Sequence, residues 1–236
     1  AQLCWLDNGE NNKLFCVAFK TVPWDDTGVF HILEHTVLNG SDKYPVHEPF
    51  VEMLKGSMNT FLNAMTGQWF TSYPIASLSE AQLLKLAEFY TDACFYPVIM
   101  ENEHIFRTEA WRYRLEDPED ALTLEGTVYS EMLGSMSLFR TAYRNFLRAA
   151  FPGTLAGNES GGDPESIPDM TWEALKDYHD KYYHPSNSAA YLYGQFEDYE
   201  AFLELLDGYY SQFERKDFTR NDALYTPIAE PVVEVL

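Results

Sequence analysis

Two histidines four apart, with a glutamate just before the second, are the residues best placed to do chemistry. They are His31, Glu34 and His35, in the stretch GVFHILEHTVLNG. On an α-helix, positions i and i+4 project from one face, one turn apart. Both imidazoles can then reach a single zinc ion. Glu34 is i+3 from His31 and lies beside that face, but it is rotated away from His35. That offset suits a base reaching for a water better than a ligand next to both histidines. Zinc lowers the pKa of water toward neutrality, and a nearby carboxylate can take the proton. These are the minimum parts of a zinc-dependent peptidase. The competing reading is two core histidines and a surface glutamate, yet a buried carboxylate is costly unless it is paired or functional.

A third protein ligand must come from elsewhere in the chain. Glu48, Glu52, Glu88, Glu125 and Glu131 are all available in principle. Glu131 stands out because it sits in VYSEMLG, amid apolar neighbours, although a solvated helix glutamate fits that pattern equally well. None of His47, His104, His179 and His184 is assigned to metal. His184, in YYHPSN, reads as a structural residue at a helix exit before proline.

The elements that must position these residues follow from the pattern. AQLCWLD and KLFCVAFKTV read as strands around the turn-rich NGENN, which suggests an antiparallel hairpin. DDTG precedes a helix that carries His31, Glu34 and His35 and stops at NG. MNTFLNAMT and WFTSYPIAS read as a pair of strands. Ser79 is placed to cap a helix over the following apolar-periodic residues. A long helix is expected from about 125 to 150. The Gly/Pro-rich FPGTLAGNESGGDPESIPD is long for a loop, so it either has a task or wraps a surface. Helices starting near Thr171 and within DYEAFLELLDGYYSQF flank the strand NSAAYLYGQF. The expected fold class is α+β: a mixed, mainly antiparallel sheet covered by helices.

Composition excludes several classes of function. The 236 residues include 16 basic and 37 acidic side chains, a net charge of −21. That argues against nucleic acid or an anionic membrane as partner. The apolar content of 46% is ample for a packed core. Cys4, Cys16 and Cys94 form no paired motif, and Cys4 and Cys16 lie in apolar runs where a thiol packs, which favours a reducing, intracellular setting. That setting is the cytoplasm or an organelle lumen. No apolar run is long enough to span a bilayer, and no Gly-rich phosphate loop is present. The chain opens without Met inside a strand-like run, as expected of an excised or processed piece.

With these residues in view, the chain resembles the pitrilysin family of metallopeptidases, nearest its presequence-protease and falcilysin branch. The HxxEH order is the inverzincin signature. The resemblance continues through DDTGVFHILEHTVLNGSDKYPVHEPF, LKGSMNTFLNAMT, GTVYSEMLG, ESGGDPESIP and YYHPSNSAAYLYG. It implies that His31, His35 and Glu131 hold zinc and that Glu34 is the general base. Glu125 stands nearest the place of a further helix glutamate found in some relatives. FLNAMT is similar to an edge strand that pairs with extended substrate, with Asn63 donating to a substrate carbonyl and Ala64 leaving room for it. Leu38, Phe50 and Leu54 resemble the apolar pocket for a substrate side chain. The family's members are about four times longer, with two hinged halves that enclose a chamber selecting short unstructured peptides. Residues 1–224 are therefore expected to be the N-terminal zinc-peptidase domain, and 225–236 a linker or the start of the next domain. Its partners are peptide substrates and the remaining C-terminal domains. Alone, the domain is expected to cleave peptides poorly. A non-catalytic peptide-binding or scaffold domain of the same fold is the alternative.

Overall fold

Alternating bulky residues make KLFCVAFK a strand, and burial of both alternating sets makes it a central one. The computed structural model describes residues 2–46 and 49–218. Among them the strands are Gln2–Leu6 (β1), Lys13–Lys20 (β2), Asn59–Leu62 (β3), Met65–Thr66 (β4), Phe70–Ser77 (β5), Arg112–Arg114 (β6), Thr123–Glu125 (β7) and Ser188–Tyr193 (β8). The α-helices are Val29–Val37 (α1), Pro49–Gly56 (α2), Glu80–Phe95 (α3), Glu103–Glu109 (α4), Thr127–Ser135 (α5), Leu138–Ala150 (α6), Trp172–Tyr182 (α7) and Tyr199–Tyr210 (α8). The main sheet runs β1-β8-β2-β5-β3, with β4 also on β5; β6 and β7 form a separate ribbon. Every pairing is antiparallel except β1 with β8. The fold is thus the mixed, mainly antiparallel sheet with helices read from the sequence.

The core is aromatic. Phe19 stacks on Tyr183 with centroids 4.5 Å apart and meets Phe95 and Tyr73 edge-on. The Tyr73 and Tyr183 hydroxyls share a 2.7 Å hydrogen bond, so the polar tips of these buried rings are satisfied. Helix starts follow the capping chemistry expected. Ser79 accepts from Gln82 N at the head of α3, and Thr171 accepts from Ala174 N at the head of α7. His184 caps a 3-10 turn, its Nδ1 accepting from Ser186 N at 3.1 Å.

Three expectations are corrected. β1 and β2 form no hairpin, because β8 lies between them. All five β1 residues are exposed, so no buried face of that strand specified its partner. Contacts with the far end of the chain decide the matter instead: Trp5 stacks on Tyr199 at 4.7 Å and donates Nε1–H to Gly194 O at 3.1 Å. Cys4, on this edge, is exposed rather than packed, whereas Cys16 and Cys94 are buried. Burial pushes the Cys16 thiol up to about 11, which leaves it unreactive at neutral pH.

The long helix over 125–150 is three elements. Thr123–Glu125 is strand β7, and Met136 turns extended (ψ 131°) between α5 and α6. Ser137 then caps α6 by accepting from Arg140 N at 3.2 Å. α6 buries none of its residues. Its arginines recur every four positions and pair with carboxylates of the body of the domain: Arg140 with Glu159, Arg144 with Asp163, Arg148 with Asp26. The expected linker at 225–236, like His47 and Glu48, lies outside the described residues.

Candidate metal centre

α1 begins abruptly. Asp25 Oδ1 accepts from both the backbone N and the hydroxyl of Thr27, and Gly28 takes a left-handed conformation (φ 68°) before the first helical residue. Phe30, Ile32, Leu33 and Val37 are fully buried. Their burial fixes the helix's rotation, so His31, Glu34 and His35 share the remaining side. The two rings lie edge to face, 5.0 Å between centroids.

Glu131 reaches these rings from α5. Its Oε2 stands 3.7 Å from His31 Nε2 and 3.5 Å from His35 Nε2. One donor atom from each of the three residues lies within 4.8 Å of the others. Tetrahedral zinc with bonds of about 2.0–2.2 Å spaces its ligand atoms roughly 3.3–3.5 Å apart. Two imidazole nitrogens and one carboxylate oxygen fit that ion in donor type, and Glu131 Oε2 stands close to that spacing from both nitrogens. The Glu131 side chain is 54% exposed, so this side of the cluster is open to solvent.

Each imidazole is held from behind. His31 Nδ1 lies 2.8 Å from Gly161 O, and His35 Nδ1 lies 3.4 Å from Glu109 Oε2. A partner at Nδ1 keeps the proton there and leaves Nε2 free as an acceptor. For His35, burial is the largest influence and lowers its pKa. The bond with Glu109 and the charges of Glu34, Glu109 and Glu131 together outweigh it, so the pKa stands above the ordinary histidine value. Glu34 is anchored from the sheet: Thr66 on β4 donates its hydroxyl to Glu34 Oε2 at 3.0 Å.

The remaining sequence candidates fall into several places. Glu125 is on β7, not on a helix turn before Glu131, and it pairs with Arg112 at 2.9 Å and Arg114 at 3.6 Å. Glu88 pairs with Lys43, and Glu52 is an exposed residue of α2. Asn63 and Ala64 follow β3 at the sheet edge; Asn63 N donates to Pro74 O, and its carbonyl accepts from the Tyr90 hydroxyl. Leu38 is buried in the core, Phe50 packs partly against it, and Leu54 is half exposed.

Sequence reasoning missed Glu109, Thr66 and the Gly161 carbonyl. Glu109 ends a seven-residue helix with no spacing that points at His35. A backbone carbonyl leaves no mark of its own in a sequence; only the glycine pair in NESGGDP hinted at a special loop.

Residues 169–235 match the family model described as the Peptidase M16 inactive domain. That match lies beyond His31, Glu34, His35 and Glu131. The chain is 46% identical over 219 residues to Protein HypA of Clostridium perfringens, spanning 92% of this chain and 22% of that protein. It is 44% identical over 210 residues to Presequence protease 1, chloroplastic/mitochondrial, of Arabidopsis thaliana, spanning 89% of this chain and 19% of the relative. A crystal structure of pitrilysin superposes with a TM-score of 0.66 at 20% identity, over 98% of this chain and 23% of that one. At that identity the likeness is one of fold. The chain spans about a fifth of the length of the curated relatives it matches.

Proposed function

We propose that the chain is a peptidase domain of the M16, or pitrilysin, family, of the presequence-protease kind, and that it works as a zinc-dependent endopeptidase. The observation that carries this reading is the convergence of His31, His35 and Glu131, with Glu34 on the same helix as both histidines. The identity to a named presequence protease supports it.

In this reading His31 Nε2, His35 Nε2 and Glu131 Oε2 hold the metal. Zinc, when bound, supplies a Lewis acid that polarises a peptide carbonyl and acidifies water. Glu34 has one oxygen tied to Thr66, which leaves Oε1 to accept a proton from the attacking water. The same carboxyl then delivers that proton to the leaving amide nitrogen. Gly161 O and Glu109 hold the proton on each Nδ1 throughout, so neither imidazole turns its N–H toward the ligand position. Thr66 ties the base to the β3–β4 edge, where an extended peptide can add as a further strand. Asn63 and Ala64 sit on that edge to meet the substrate backbone, and Phe50 and Leu54 are the apolar residues left accessible to its side chain, since Leu38 is buried in the core. Short unstructured peptides suit an edge that must be paired in extended form.

The proposed working form includes further domains, which supply the second half of a peptide chamber; the 236-residue chain alone turns peptides over poorly. The setting is intracellular, in the cytoplasm or in an organelle lumen such as the plant relative's name records. Among the described residues no helix is long and apolar enough to cross a membrane. One observation favours a second reading, a non-catalytic peptide-binding or scaffold domain: the matching family model is described as inactive. Zinc content separates the two. One zinc per chain, lost in His31→Ala, supports the enzyme; a chain that takes up no zinc and is indifferent to that change supports the scaffold.

A further inference from the structure

The loop that carries Gly161 is tied at both ends to one residue. Glu159 N donates to Asp26 Oδ1 at 2.7 Å, and Asp163 N donates to the Asp26 carbonyl, also at 2.7 Å. Gly161 lies midway between them and presents the carbonyl 2.8 Å from His31 Nδ1. Two successive glycines, Gly161 and Gly162, have the freest backbone a chain can have, so local sterics cannot aim that carbonyl. The aim comes from the anchors and from packing against Gly28, Met132 and Ile167. The loop also runs hard against the start of α1: a Cβ on Gly28 would stand 2.6 Å from Gly161 O. Asp26, two residues before Gly28, therefore fixes the loop relative to the helix that carries His31. Its carboxylate is steadied by Arg148 of α6.

We propose that Asp26 is a positioning residue for His31. By holding the 159–163 loop it sets the Gly161 carbonyl against Nδ1, keeps the ring proton there, and leaves Nε2 bare toward the metal. This rests on the zinc reading above. Asp26 touches neither metal nor substrate; it acts through Gly161.

The test uses the 236-residue chain, with zinc alone as the ligand. Affinity is measured by competition with a chelating dye, and the ring nitrogens of His31 are followed by NMR in metal-free protein. Asp26→Asn keeps the Oδ1 acceptor and is expected within about threefold of the unaltered chain. Asp26→Ala removes it and is expected to bind zinc about 10- to 100-fold more weakly, with the His31 ring moving to an exchanging mixture of tautomers. Unchanged affinity and unchanged ring signals in D26A overturn the inference and leave the zinc reading standing. Equal losses in D26A and D26N overturn it too, because the effect then belongs to the Arg148 charge pair. An unaltered chain that binds no zinc removes the reading and the inference together. If D26A does not fold, Glu159→Pro deletes the same N–H from the other side. Asn158 already has the extended backbone (φ −79°, ψ 146°) that precedes proline. E159P is read against Glu159→Ala, which removes only the charge; equal zinc affinity in those two overturns the inference.

Discussion

In the proposed zinc reading, Glu34 and His35 are the single residues whose roles are most open to measurement. Glu34→Gln keeps the size of the side chain and its contact with Thr66 but cannot take a proton. If the chain works in the proposed larger peptidase, peptide turnover by that protein is expected to fall by about 10²–10⁴-fold, with zinc content unchanged; a variant that loses its zinc as well would assign Glu34 to binding instead. His35 brings pH dependence. Its pKa is raised, so in metal-free protein the stabilisation from the protonated ring is complete below the ordinary value of 6.5 and is lost as pH rises through the folded-state value. Zinc needs the neutral ring, so its affinity runs the other way and weakens as pH falls through that same raised value. Titrating zinc affinity from pH 8 to 5 checks the sign. His31, Glu34 and His35 could be read from the sequence because one helix places all three; their geometry is local. Glu131 was reached through a family resemblance, since no spacing rule joins residues a hundred positions apart. Glu109, Thr66 and Gly161 were not reached at all, because each meets α1 only through the packing of separate elements.

Elements were legible where their signals were local and hidden where partners competed. Ser79 and Thr171 marked helix starts correctly because an N-cap acts within three residues. Ser137 is the same signal, but it sits inside MLGSMSLFRTAY, where helical periodicity runs across the break at Met136. The β1–β2 hairpin failed because turn residues at Asn8 and Gly9 reverse the chain without dictating which strand β1 joins. α1 and the loop above it can be tested as a unit. Gly28 has positive φ, and its missing side chain makes room for the Gly161 and Gly162 backbone. Gly28→Ala must both strain the backbone and push the loop away. It is expected to destabilise the chain by about 1–3 kcal/mol, seen in denaturant unfolding, and to weaken zinc binding beyond what stability explains. A neutral G28A would show that the loop yields freely there.

At the scale of the whole molecule, stability rests on the aromatic layer between sheet and helices. Phe19 is 1% exposed and touches three other aromatic rings. Phe19→Ala is expected to cost about 3–5 kcal/mol, measured by urea denaturation; a loss under 1 kcal/mol would mean that the neighbouring rings collapse into the space. The order of the strands has a further consequence, one of time rather than of shape. Every part of the histidine and glutamate cluster, with its supporting loop, has been synthesised by residue 163. The strand that closes the sheet, β8, arrives only with residues 188–193, and it must insert between two strands made first. Until then β2 has an open edge and β1 has no partner. Pairings of such long sequence separation form slowly and leave strand edges exposed meanwhile. A nascent chain therefore holds His31, Glu34, His35 and Glu131 before it holds the complete sheet against which their helices pack.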